Sequence, residues 1–331
     1  MKARPCPWFL PIVCLLWAVP LAAVSAQEAA TDDPVSRPVV SQDISPLIRI
    51  EPVASDGHRG EGFMRRPPGD GSYPAVVFVH GGLNQRPTDY LLDYSQRAHP
   101  SRFLADGFVV AVITYRSRDV DPQSRVSSED VLAAVEFLKD LPFVDPQSVV
   151  VRGTSGGGDL ALEVATMTEL AAIIAEEPAT MLFTGMMNKD EPKAGDTYSA
   201  LDSSIFTDNP WRYYTGERQE FTREKLRRIG NPMLIVQGTP FDRTTPPRGP
   251  DVNRFNAAVL MPELYAAGKQ FDVHTYPGEP HSFAFYSERR RTPRPAVALE
   301  AYEAMTEWLM PHLSTKPVPI EPSLIQYAPW P

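Results

Sequence analysis

The 331-residue chain is long enough for one large domain, and 43% hydrophobic with 22% charged residues excludes a chain disordered throughout. Its formal charge of −9 argues against nucleic acid as a partner, because phosphate is repelled by an acidic surface. Both cysteines, Cys6 and Cys14, fall in the N-terminal segment, so the rest of the chain can form no disulfide.

Residues 1–26 read as a signal peptide. Lys2 and Arg4 precede an apolar stretch, Trp8 to Val24, interrupted by Pro11 and Pro20, and Val24-Ser25-Ala26 offers small residues for cleavage before Gln27. The expectation is an exported protein, periplasmic or secreted, with no stable membrane span after cleavage; a retained anchor is the alternative. Residues 27–46 are polar and proline-dotted and read as a flexible leader.

Leu47–Val53 and Gly60–Arg66 are the first candidate strands. Ala75-Val76-Val77-Phe78-Val79 and Phe108–Ile113 are short, unbroken, β-branched runs of the kind buried on both faces. In Ser128–Leu141, Val131, Leu132, Val135 and Leu138 recur at helical spacing. Ser148–Val151 is a strand, followed by a helix from Asp159 to about Glu169. Ala171–Ala175, Met233–Gln237 and Phe271–Tyr276 complete the strands, and Ala296–Leu313 is the closing helix. Apolar strands alternating with helices predict an α/β domain over 47–314, with a mostly parallel central sheet and helices on both faces. Residues 186–230 break the alternation and are rich in aromatics, which predicts a lid insertion in which Trp211, Tyr213 and Tyr214 either line the substrate entrance or pack the insertion onto the body. Residues 315–331 read as a proline-rich tail.

The chemistry centres on Gly153-Thr154-Ser155-Gly156-Gly157, a G-x-S-x-G run fed by the strand Val149-Val150-Val151 and followed by a helix. A serine hydroxyl needs a base to take its proton, and the partners of such a turn follow in the order acid, then histidine. His281, in a loop after the last strand, is the expected base. His274 lies inside that strand, and His312, beside Pro311 at a helix end, reads as a cap or surface residue. Asp242 follows the strand Met233–Gln237 and is the expected acid, with Asp251 as the fallback. The oxyanion donors are expected from the N–H of Gly156 and from Gly82 or Leu83 of His80-Gly81-Gly82-Leu83, in which His80 is structural. There is no H-E-x-x-H, no paired-cysteine spacing and no phosphate loop, so no metal and no cofactor is expected.

Pro74–Gly82, Gly153–Gly157, Gln237-Gly238-Thr239 with Asp242, and Tyr276–His281 together resemble the dienelactone-hydrolase and prolyl-oligopeptidase-like branch of the α/β-hydrolases, over about Gly60 to Leu313. The resemblance implies the α/β-hydrolase fold and a small-molecule ester or short peptide as substrate. Three features depart from the pattern. No cysteine stands at the nucleophile, Gly156 replaces the aromatic residue that prolyl oligopeptidases carry there, and Phe241 holds the acid's usual place one position before Asp242. A β-propeller would not fit into Gln27–Gly60. Three readings remain: an esterase working through an acyl-enzyme, a peptidase or acyl-peptide hydrolase with the same triad, and a non-catalytic binding module on a hydrolase scaffold.

Overall fold

The computed structural model describes residues 45–118, 124–186, 210–212, 214–238, 251–284 and 295–320. All of these belong to one unit, Val40–Pro331. The signal segment, the leader up to residue 44, most of the expected lid and the last eleven residues lie outside the described part, as do Tyr213 and Asp242.

Eight strands form one sheet: β1 (Ile48–Ile50), β2 (Gly62–Arg65), β3 (Tyr73–Val79), β4 (Val109–Ile113), β5 (Val144–Thr154), β6 (Ala172–Glu176), β7 (Met233–Gly238) and β8 (Phe271–Tyr276). Their order across the sheet is β1-β2-β4-β3-β5-β6-β7-β8. β1 pairs antiparallel with β2 and β2 with β4, while every neighbour from β4 to β8 is parallel. Every segment the sequence offers as a strand is one.

Side chains of a strand alternate between its faces, so a continuous apolar run feeds two cores. On one face Ala75, Val77 and Val79 of β3 pack with Val131, Val135 and Leu138 of α3 (Val126–Lys139) and with Leu160 and Val164 of α4 (Gly156–Ala165). On the other face Val76 and Phe78 meet Leu91 of α1 (Thr88–Ser95), Phe103 of α2 (Ala98–Ala105), and Tyr302 and Met305 of the closing helix Pro295–Leu309. α1 and α2 escape the sequence reading because eight residues each show too little helical periodicity.

The lid boundary needs correction. Residues Gly216–Arg228 form a helix that buries Thr222 and Leu226, and Leu226 and Ile229 enter the main core. A parallel pair such as β6 and β7 needs a crossover, and this helix belongs to it. Only Phe221 and Leu226 in the helix and Ile229 just after it are apolar, so its inward stripe is too sparse to read. The start of the proline-rich tail is docked on the body: the N–H of Ile320 donates to the carbonyl of Ala105 at 2.8 Å.

After β3 the chain moves to one side of the sheet, and after β5 to the other. That switch point opens a crevice at the carboxyl ends of the parallel strands, where ligands bind in such sheets. The loop leaving β3 begins with His80–Leu83, and β5 passes into α4 through the single residue Ser155.

Candidate active site

Ser155 occupies the turn between β5 and α4 with φ 55 and ψ −116, a region that costs a non-glycine residue on the order of 1–3 kcal/mol. Its N–H donates to the carbonyl of Glu176 at 2.8 Å, which ties the turn to the neighbouring strand end. The Ser155 side chain makes no cap bond to α4, and the N–H groups of a helix's first turn, here Gly156 foremost, suit an anionic group in front of the helix.

The Gly82 loop, the other expected source of an oxyanion donor, stands against the start of α4. A β-carbon at Gly156 would fall 2.2 Å from the carbonyl oxygen of Gly82, so glycine is required for the two loops to approach. The Tyr115 hydroxyl pins the Gly82 loop, lying 2.7 Å from the carbonyl of Gly82 and 3.2 Å from that of His80. Leu83 packs on an apolar cluster of Ala179, Leu182, Met186 and Phe255, and its carbonyl accepts the Arg118 N–H at 2.6 Å.

His80 is structural, as the sequence indicates. It is buried, stacks on Tyr115 with ring centroids 4.4 Å apart, and its Nε2 lies 3.1 Å from Thr114 Oγ1. Desolvation, opposed by the Gly81 contact, lowers its pKa to about 4. The folded pKa is below the unfolded one, so His80 contributes stability above about pH 6.5 that is lost as pH falls toward 4. Urea unfolding between pH 6.5 and 4.5 should show His80→Gln losing stability with acid more gently than the wild type, by up to about 1.4 kcal/mol per pH unit. Equal slopes would mean that His80 takes up a proton in the folded state.

His281 sits in the loop after β8, held there by packing of Phe283 on Tyr276 and by close approach to β7. A β-carbon at Gly238 would fall 2.1 Å from the carbonyl oxygen of Glu279, so the last residue of β7 must be glycine for this loop to seat. Nδ1 of His281 lies 3.2 Å from Oε2 of Glu177, and the imidazole remains 39% exposed. Ser155 and Glu177 directly follow the register partners Thr154 and Glu176, so the serine and the histidine's carboxylate neighbour leave adjacent strands at the same level. Asp251 caps the short helix Val252–Phe255, accepting the N–H of Arg254 at 3.0 Å.

Glu177 went unassigned in the sequence, although Glu176-Glu177-Pro178 directly after a buried strand was a usable signal. Glu176 is also buried and lies beneath the serine turn. Its Oε1 accepts from Nε of Arg152 at 2.9 Å and its Oε2 accepts from Thr154 Oγ1 at 2.8 Å. Arg152 further contacts Nδ1 of His99, whose buried imidazole is held well below its usual pKa, first by desolvation and then by Arg152.

Of the expected lid aromatics, Tyr214 is a packing residue rather than an entrance residue. It is 1% exposed and joins the cluster of Met181, Leu182 and Phe255. Trp211 is 51% exposed and meets the edge of Tyr214 at 6.0 Å.

A strained serine between a central parallel strand and a helix, faced by the loop of the neighbouring strand and followed by a histidine after the last strand, defines the α/β-hydrolase class. The profile of the prolyl oligopeptidase family matches residues 121–315, more than half of the chain, and the chain belongs to that family of serine hydrolases. The quorum-quenching protein AidA of Acinetobacter baumannii (strain MDR-ZJ06) is 33% identical over 134 residues, 38% of this chain and 42% of AidA. The match thus spans less than half of AidA's length. Esterase LipU of Mycobacterium tuberculosis is 25% identical over 240 residues, 65% of this chain and 72% of LipU. Among solved structures, a Mycobacterium tuberculosis puromycin-hydrolyzing peptidase aligns with a TM-score of 0.56 at 21% identity, covering 87% of this chain and 42% of that chain. The esterase of Pyrobaculum calidifontis aligns with a TM-score of 0.52 at 18% identity, covering 81% and 87%. At these identities the structural likeness speaks for the fold.

Proposed function

We propose that this chain is an exported serine hydrolase that cleaves an acyl ester through an acyl-enzyme on Ser155, with His281 as general base. The strained Ser155 turn carries the reading: a backbone cost is retained where it presents the hydroxyl in front of the first-turn N–H groups of α4. Ser155 Oγ attacks the ester carbonyl carbon while His281 takes the hydroxyl proton. The carbonyl oxygen becomes an oxyanion, met by the N–H of Gly156 and by the Gly82–Leu83 loop. Collapse breaks the bond to the leaving alcohol, which receives the proton from His281. Water, activated by the same imidazole, then attacks the acyl-enzyme and frees the acid and Ser155. The exposure of His281 supports this second half, since water reaches the ring.

An ester is favoured over an amide by the likeness to esterase LipU and by Gly156 standing where the peptidases carry an aromatic residue. Membership of the prolyl oligopeptidase family keeps a short peptide or acyl-peptide as the second reading. Export rests on the N-terminal segment with Lys2, Arg4 and Val24-Ser25-Ala26. A fluorophosphonate probe should label Ser155, and a panel of short acyl esters, a lactone and aminoacyl amides should give higher kcat/KM for the esters. Faster turnover of the amides would move the assignment to the peptidase. No labelling and no turnover would leave the non-catalytic binding module.

A further inference from the structure

Glu177 is a buried charge with an unusual setting. It directly follows β6, adopts φ 44, and is 1% exposed. Four nitrogens converge on its carboxylate. Oε1 accepts from the N–H of Gly238 at 3.1 Å and from Nδ2 of Asn253 at 3.1 Å. Oε2 accepts from the N–H of Ser282 and lies 3.2 Å from Nδ1 of His281. These partners come from β7, from the helix after residue 251, and from the histidine loop. Asn253 is itself fixed by the carbonyl of Gly238 at 3.1 Å.

Burying a carboxylate costs several kcal/mol unless its lone pairs are matched, and here each oxygen meets at least one N–H donor. Three of the four partners are N–H groups that can only donate, and Nδ1 of His281 donates in one of its tautomers, so the arrangement suits an ionised carboxylate. An ionised carboxylate beside Nδ1 keeps the imidazole proton on that nitrogen and leaves the lone pair on Nε2, the atom that must act as base. The left-handed backbone at Glu177 supplies a second, independent mark, because a glutamate gains nothing locally from φ 44 and such strain persists where the surroundings over-determine it.

We propose that Glu177 is the positioning residue of the site: it sets the tautomer and orientation of His281 and stabilises the imidazolium formed during acyl transfer, the role that sequence order gives to Asp242. The proposal rests on the reading of His281 as general base. It places the acid at the end of β6, one strand closer to the nucleophile than the Asp242 position after β7.

The test compares Glu177→Gln, Glu177→Asp and Asp242→Asn in the full chain on one acyl ester. Glu177→Gln should lower kcat by up to about 10⁴-fold with KM little changed, because the wrong tautomer is favoured while the substrate contacts stay. Its loss should exceed that of Asp242→Asn by at least tenfold, and Glu177→Asp should recover part of it. A larger loss in Asp242→Asn than in Glu177→Gln overturns the proposal. Should Glu177→Gln fail to fold, ¹⁵N chemical shifts of histidine-labelled protein decide: His281 retains its Nδ1–H tautomer in Asp242→Asn if Glu177 holds it, and loses that tautomer if Asp242 does. The same shifts read the contact without turnover, so absence of Ser155 labelling in the wild type would refute the esterase reading and leave the Glu177 assignment to be judged separately.

Discussion

Ser155→Ala is expected to lower kcat for an acyl ester by on the order of 10⁶-fold while leaving the urea midpoint unchanged. The two halves of this expectation have different causes. The loss follows because no other hydroxyl stands at the start of α4, where Gly156, Gly157 and Gly158 follow directly, and because a base without its nucleophile leaves only the oxyanion donors to act. The unchanged stability follows because the Ser155 side chain makes no cap bond to the helix, and the bonds that fix the turn run through its backbone, from its N–H to Glu176 and to its carbonyl from Ala179 at 3.0 Å. Ester turnover under single-turnover conditions and urea unfolding read the two halves. A loss below a hundredfold would show that another group carries the acyl transfer.

Arg152→Met should destabilise the fold by roughly 3–5 kcal/mol, the usual consequence of removing one partner of a buried ion pair. Arg152 and Glu176 are each 2% exposed at their side chains, so water cannot replace the lost guanidinium. The guanidinium also lies 5.0 Å from the ring centroid of Phe78, and methionine would keep most of that apolar contact. Adding Glu176→Gln to Arg152→Met should restore part of the loss, since the uncompensated charge disappears with it. Urea unfolding of the two single variants and the double variant tests this. A cost below about 1 kcal/mol for Arg152→Met would mean that Glu176 finds another partner or is protonated in the variant.

The centre of the sheet was legible because its parallel strands β3 to β7 are buried on both faces. Runs such as Val76-Val77-Phe78-Val79 and Ile173-Ile174-Ala175 carry no ambiguity of face, and they end at the polar residues His80 and Glu176 that mark the carboxyl edge. The Ser155 turn and the His281 loop were legible because each lies in a glycine-bearing break directly after a strand. The short helices α1 and α2 and the crossover helix Gly216–Arg228 were not: α1 and the crossover helix bury few apolar side chains, and α2 buries His99, Pro100 and Ser101 among its apolar residues, which hides the helical pattern. The carboxylate beside His281 was missed because sequence order names the strand after which an acid is usual, whereas the contact depends on which strand end lies next to the histidine loop in space. Glu177 and His281 stand 104 positions apart in the chain and meet only when β6, β7 and β8 are side by side.

Ser155, Glu177 and Ser282, with φ of 55, 44 and 65, are the non-glycine residues with positive φ among the described residues, and all three lie within this one site. At about 1–3 kcal/mol apiece, they hold a sizeable fraction of the net stability of a typical domain. An engineer who ranks positions by local strain would reach for these three first, and relief at each would loosen the Ser155 turn, the Glu177 carboxylate or the loop that carries His281. Heat resistance for this protein is therefore to be sought in its exposed helices and loops, far from the carboxyl edge, where added stability does not draw on turnover.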